Sequence, residues 1–438
     1  MKNLKSPRDR LFIFLIGAQF LFVASPHLIF IQAVFSLVIG IYYALRGEEV
    51  KVISIISFIT ASEIYYKLLI TQKINLTVPW EFPKYAAFLI CIILFLSRSL
   101  ARSKKYYSFS LKIYVVLILI SFVRSIFFYD FTYDGIKSIL GFYAMGPLAL
   151  GATILAFDNI KMSIYDFKKI ILYYFAGIIP SSVFLLNNLS FFDLAKVVVD
   201  SNKEFTGYGP IHVSLAMSFI AGMLLLSLVR YRVWKNRLII YFCAVFFILV
   251  TVLTFSRSGI YALLPSFLVA MTYKTKNFKK ILINYGIGIL GSLAIYFYLN
   301  DLTGGSLKLR YTQEESDPRF YFIKTDIDAW LDNPIFGAGF GRSKKYRNHR
   351  WSGAVSHNEF TRFLAEQGVF GLFSLIIIIS ISINRLKKGR NNYYMPFILF
   401  LMIFSFLYFN ANAFRTYLPG FAIGLAFISV YNKQERFT

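Results

Sequence analysis

Residues 238–255 read LIIYFCAVFFILVTVLTF, eighteen in succession without a charge. As an α-helix rising about 1.5 Å per residue, the run is about 27 Å long, close to the hydrocarbon thickness of a bilayer. Its flanks sharpen the reading. Arg230, Arg232, Lys235 and Arg237 precede it, Ser256-Arg257-Ser258 follows, and a second apolar run opens at Gly259. A basic segment, an uncharged run of spanning length and a tight turn into another run form the pattern of a chain that crosses a membrane and returns.

The unit recurs along the chain. Apolar runs lie near 11–25, 28–45, 50–70, 84–101, 109–129, 137–157, 169–188, 210–229, 238–255, 259–272, 281–299, 363–383, 394–410 and 414–430. Pro26-His27 splits the first stretch and the run 259–272 is short, so the expectation is 12–14 transmembrane helices. Composition agrees: 57% of residues are apolar and 16% charged, with a mean hydropathy of +0.59, whereas soluble chains sit near 45–50% and 25%. A large soluble enzyme is excluded, because its core would be broken into short strands and amphipathic helices. The expected fold is an all-α polytopic integral membrane protein.

The net charge of +25 does not indicate nucleic acid, because the basic residues fall in short segments between apolar runs. Arg98, Arg102, Lys104 and Lys105, then Lys161, Lys168 and Lys169, then Lys274, Lys276, Lys279 and Lys280, then Arg385, Lys387, Lys388 and Arg390 occupy alternate connections. The intervening connections 71–83, 130–136 and 189–209 are poor in Lys and Arg. This bias places both ends in the cytoplasm. The opening MKNLKSPRDR resembles the basic flank of a signal peptide. No small-residue cleavage site follows, and it reads as the first span's cytoplasmic anchor. Cys91 and Cys243 sit inside apolar runs, which argues against a disulfide framework or a thiolate metal site.

The segment 300–362 departs from the pattern. It lies on the outer side yet carries many Lys and Arg, so an anionic ligand and a merely solvated basic loop are equal readings. The chain therefore divides into N-terminal helices (1–299), a large outer loop (300–362) and C-terminal helices (363–438). Asp317-Pro318 marks a helix start, Asn333-Pro334 its end, and the loop is expected to hold a short helix near 318–332. Arg319, Ile323, Asp326 and Trp330 share one of its faces. FGAGFG at 336–341 could offer backbone N–H groups to phosphate, but without βαβ context or a Walker Lys-Ser pair a plain turn is the preferred reading.

Candidate chemistry collects on the outer side. His27, His212, His349 and His357 all map there, and His357 is a candidate base. Asn358, Arg362 and Glu366 follow at four-residue spacing and can share a helix face. Arg124, Arg257, Arg319 and Arg415 lie at the outer rim, where charge is costly and guanidinium forks suit phosphate oxygens. Snorkelling to lipid phosphates would explain one or two of them, but explains Arg257 in its short turn poorly.

Together, LTFSRSG at 253–259, the Arg319–Trp330 segment, NPIFGAGFG at 333–341 and SHNEFTRFLAEQGVFG at 356–371 resemble the O-antigen ligase/polymerase superfamily of bacterial polysaccharide assembly. The resemblance covers about 235–385. It implies a GT-C-like, metal-independent, inverting glycosyltransferase that needs no cofactor and uses undecaprenyl-diphosphate-linked oligosaccharide at the outer face of the bacterial cytoplasmic membrane. It further implies that Arg257 and Arg319 bind diphosphate and that His357 activates the acceptor glycan's hydroxyl. Arg124, Arg415, Asn358, Arg362 and Glu366 are candidates for substrate binding from their placement alone. The implied partners are membrane lipids and polysaccharide-assembly proteins such as a flippase or chain-length regulator. The expected activity is a polymerase joining lipid-linked repeat units into O-antigen, capsule or exopolysaccharide. The alternative is a ligase that transfers glycan to the lipid A–core of lipopolysaccharide, and no residue separates the two. A transporter or flippase is a third reading, disfavoured because no internal repeat is visible.

Overall fold

A computed structural model of the chain describes residues 10–25, 28–71, 81–101, 109–128, 144–187, 210–254, 256–275, 318–348, 356–389, 393–412 and 414–431, with isolated positions at 279, 286, 296–298, 300–301, 305 and 354. His27, His349 and most of the apolar run 281–299 lie outside the described residues. The described chain is helical: α1 (Arg10–Ala24), α2 (Ile29–Leu45), α3 (Glu49–Thr71), α4 (Phe82–Ala101), α5 (Phe109–Phe128), α6 (Met145–Phe157), α7 (Ile164–Asn187), α8 (Pro210–Leu226, continued by a π-helical turn), α9 (Arg237–Leu253), α10 (Arg257–Thr272), α11 (Pro318–Asp332), α12 (Glu359–Gly389), α13 (Met395–Ala411) and α14 (Leu418–Ala426). The exception among the described residues is a parallel pair of three-residue strands, β1 (Lys161–Ser163) and β2 (Ser429–Tyr431). Among the described residues six helices, α3, α4, α5, α7, α8 with its π turn and α12, are long and apolar enough to cross a membrane, and four shorter apolar helices accompany them.

The helices sort by what surrounds them. From Val52 to Leu69, α3 is buried on all sides, and every residue of α14 is buried too. By contrast α5 exposes Val116, Leu119, Ile120, Val123 and Phe127, and α9 exposes Leu238, Ile239, Tyr241, Phe242 and Leu249. Apolar surface on that scale would be an aggregation hazard in water and is ordinary against lipid tails. Since lipid is as apolar as the helices, close backbone approach and polar links between helices hold the bundle together. At the α3–α7 contact a Cβ on Gly177 would sit 2.4 Å from the Phe58 carbonyl oxygen, and Ser57 nearby donates to the Ile170 carbonyl at 2.9 Å.

Polar contacts between helix ends fall into two sets. In the first, Arg98 pairs with Glu49 at 2.8 Å and donates to the Asp158 carbonyl. Lys168 reaches the Val233 carbonyl, Arg230 that of Tyr273, and Arg385 those of Ala426 and Ile428. The β1–β2 pair belongs here as well. The second set joins residues near 63–67, 124, 212, 256–259, 319, 357–359 and 410–417. The first set is the end expected to face the cytoplasm.

Two boundaries differ from the sequence reading. α7 begins at Ile164 rather than near 169, so Lys168 and Lys169 ride in its first turns instead of a connection. The cause is a capping box: Ser163 and Asp166 exchange bonds, with Ser163 Oγ 2.7 Å from the carboxylate and Asp166 N–H 3.2 Å from the hydroxyl. α14 begins only at Leu418, because 414–417 is held in an irregular link and Pro419 suits a first helical turn.

Candidate active site

The site is assembled at the second set of helix ends. Pro318 starts α11, so Arg319 stands in its first turn. Its Nη2 donates to Ser258 Oγ at 3.4 Å, next in sequence to Arg257, the first residue of α10. Arg319 is thereby tied to the first turn of α10, the turn that Arg257 opens, a helix end that itself favours anions. Ser214 of α8 fixes that end. Its hydroxyl donates to the Ser256 carbonyl and accepts the Gly259 N–H, each at 3.1 Å.

His357 precedes α12, whose N-terminus is capped by Asn358. The Asn358 Oδ1 accepts the N–H groups of Phe360 and Thr361, and its Nδ2 donates to Asn410 at 2.9 Å. The His357 ring lies 5.5 Å from the Phe322 ring and is hydrogen-bonded by the Asn412 side chain. Burial foremost, then the charges of Arg415 and Arg319, hold its pKa down at about 4. The imidazole is therefore neutral at pH 7. Its Nδ1 is buried without a hydrogen-bond partner among the described residues.

Behind His357 lies a polar layer. Asn412 Nδ2 is 2.9 Å from His212 Nδ1, which is 3.2 Å from the Tyr408 hydroxyl, itself 2.6 Å from Thr416 Oγ1. Asp326, wholly buried on α11, takes Arg347 at 2.9 Å, Ser356 at 2.5 Å and Thr361 at 2.9 Å. Its bonds lock the loop helix to the residues on either side of His357. Burial pushes the Asp326 carboxyl up, and Ser356, Arg347 and Thr361 pull it back only in part.

The glycine-rich turn is spent on structure. Gly337, Gly339 and Gly341 all have positive φ (68°, 95°, 71°), and the N–H groups of Ala338 and Gly339 bond to the carbonyls of Ala365 and Glu366. Those carbonyls are released by a break in α12 at Gly368, whose φ of 59° and ψ of −135° are not helical. With these donors engaged, the turn offers no phosphate cradle, in keeping with the plain-turn reading.

The remaining candidates divide. Arg415 faces His357 electrostatically. Arg124 instead grips the glycine turn, donating to the Phe336 and Gly337 carbonyls with its guanidinium 4.5 Å from the Phe336 ring centroid. Arg362 is buried against Glu359, its partner three residues back, and Glu366 faces Ser343 at 3.4 Å. Sequence reasoning missed Glu359, Asp326's partner Arg347, Asn412, His212's contact, and two buried ion pairs, Glu63–Lys67 and Glu81–Lys84. The last two stand at i,i+4 and i,i+3 spacing in or beside apolar runs, a visible signal. Among the described residues no group of three or more His, Cys, Asp or Glu is placed to hold a metal ion.

The bundle defines an all-α, multi-pass membrane protein. Residues 242–376, which include Arg257, Arg319 and His357, match the O-antigen ligase family model. None of the curated proteins matches the chain.

Proposed function

We propose that the protein is a membrane-embedded glycosyltransferase of the O-antigen ligase type, acting on undecaprenyl-diphosphate-linked glycan. It would reside in a bacterial cytoplasmic membrane, with 12–14 spans in a GT-C-like arrangement, the division at 299 and 362, and its site on the extracytoplasmic face. The observation that carries the reading is that Arg319 bonds Ser258, next in sequence to Arg257, and acts electrostatically on His357, all within the segment matching that family. The family description supports the ligase alternative better than the polymerase favoured from sequence.

In this reading the diphosphate lies between Arg257 and Arg319, with Arg415 on the side of His357. The acceptor hydroxyl oxygen attacks the anomeric carbon from the face opposite the diphosphate. The new glycosidic bond forms as the bond to the diphosphate breaks, with inversion. The His357 imidazole accepts the hydroxyl proton, and the arginines stabilise the charge gathering on the departing undecaprenyl diphosphate. A bound diphosphate also offsets the two arginine charges that depress His357, which makes it a stronger base when donor is present.

Purified protein in nanodiscs, given lipid-linked glycan with and without lipid A–core, tests the assignment. Transfer that requires lipid A–core supports the ligase. A ladder from lipid-linked units alone makes the protein a polymerase, and no transfer to either counts against both.

A further inference from the structure

The link between α13 and α14 carries Arg415 and is held by charged side chains that the chemistry above does not use. Glu359 Oε2 accepts the Phe414 N–H at 3.0 Å. Lys67 donates to the Arg415 carbonyl, and Glu63 Oε2 accepts the Tyr417 N–H at 2.7 Å. Lys67 and Glu63 are themselves paired at 3.1 Å, one turn apart on α3, with side chains no more than 2% exposed. A second buried pair, Glu81–Lys84, stands close enough that Lys84 interacts with both Glu63 and Lys67.

Buried charge inside a spanning helix is costly, and apolar residues would fill the same volume at lower cost. What apolar residues could not do is bind the peptide groups on both sides of Thr416, one through its C=O and the other through its N–H. An irregular link this deep needs its backbone groups satisfied, and this pair supplies an acceptor and a donor to groups on either side of Thr416. The same link presents Asn412 to His357 and His212, and Thr416 to Tyr408.

We infer that Glu63 and Lys67 are positioning residues which, with Glu359, fix the backbone of 414–417 so that the Arg415 guanidinium is aimed at the diphosphate side of His357. The inference rests on the proposed transfer reaction. It assigns to α3, far outside the segment matching the ligase family, a part in that reaction exerted through Arg415.

The test is a double-mutant cycle in nanodiscs, measuring transfer and, separately, binding of undecaprenyl diphosphate. Lys67→Ala and Arg415→Ala should each lower kcat roughly tenfold or more, and the double variant should be no worse than Arg415→Ala alone. Glu63→Gln/Lys67→Gln keeps one acceptor and one donor without charge and should recover most of the activity lost in Glu63→Ala/Lys67→Ala. That rescue, with wild-type extraction and thermal midpoint, separates aim from folding. Losses that multiply, a silent Arg415→Ala beside an impaired Lys67→Ala, or an unimpaired Lys67→Ala would each overturn the inference. Arg257→Ala distinguishes the two levels: if it turns over like wild type, the reading of the site fails, and the cycle in diphosphate affinity still decides whether Lys67 acts through Arg415.

Discussion

Arg319 of the loop helix donates to the hydroxyl of Ser258 at 3.4 Å, which sets its guanidinium beside the N-terminus of α10 and the neighbouring Arg257. The contact ties α11 to the first turn of α10. It makes the position of α11 a condition of the proposed site.

His357 gives a pH signature. With a pKa of about 4, held down by burial and then by Arg415 and Arg319, it stays neutral in the free enzyme through the mildly acidic range. The acid limb of kcat/KM, which reports the free enzyme, should therefore lie well below the ordinary histidine value of about 6.5. The acid limb of kcat should lie higher, because bound diphosphate offsets the two guanidinium charges. The stability sign follows from the same shift. Between about 4 and 6.5 the unfolded chain binds the proton and the folded chain does not, so this residue costs stability as pH falls through that window. Thermal midpoints of wild type and His357→Gln from pH 4 to 7 should diverge toward acid, with the variant losing less.

Asp326 is the lock between α11 and α12. Asp326→Asn leaves Arg347 buried without its counter-charge and weakens the bonds to Ser356 and Thr361. The expected loss is about 3 kcal/mol of stability, seen as a lower thermal midpoint in detergent and faster proteolysis within 318–356. Replacing both partners by apolar residues of similar size should recover much of that stability but not transfer activity.

Gly368 breaks α12 in a backbone region that only glycine enters readily, and a Cβ there would meet the Gly337 nitrogen at 2.5 Å. Gly368→Ala should reduce the yield of folded protein sharply. Gly339→Ala, with no atom closer than 3.6 Å, carries only the strain of its positive φ and should be tolerated better. Size-exclusion profiles of the two variants decide this.

Arg124 separates clamp from ligand. Because it grips the Phe336 and Gly337 carbonyls, Arg124→Lys should lower thermal stability through the lost fork while leaving the affinity for undecaprenyl diphosphate within about threefold of wild type. Arg319→Lys should do the reverse. Equal losses of affinity would return Arg124 to the binding site.

These contrasts also show which features a sequence exposes. The apolar runs of α3, α4 and α5 were visible because hydrocarbon thickness fixes their length, and Pro318 marks the start of α11 because its missing N–H suits a first turn. The apolar run near 169 does not mark the start of α7, because the Ser163–Asp166 capping box opens the helix one turn before the run becomes apolar. Arg362 and Glu366 share a helix face, yet Arg362 turns back to Glu359, since the face alone does not choose among neighbouring carboxylates. The bond between Asn412 and His212 and that between Tyr417 and Glu63 join residues hundreds of positions apart, and no local pattern announces them. The Glu63–Lys67 pair, by contrast, is legible as two opposite charges at i,i+4 inside an apolar run.

The most direct test of the central claim is release of undecaprenyl diphosphate from lipid-linked glycan by the reconstituted protein, followed together with glycan transfer to acceptor. Wild type should form the two products one to one, and Arg257→Ala, Arg319→Ala and His357→Ala should each insert normally and form neither. Turnover at the wild-type rate in the Arg257 and Arg319 variants would contradict the assignment of this site.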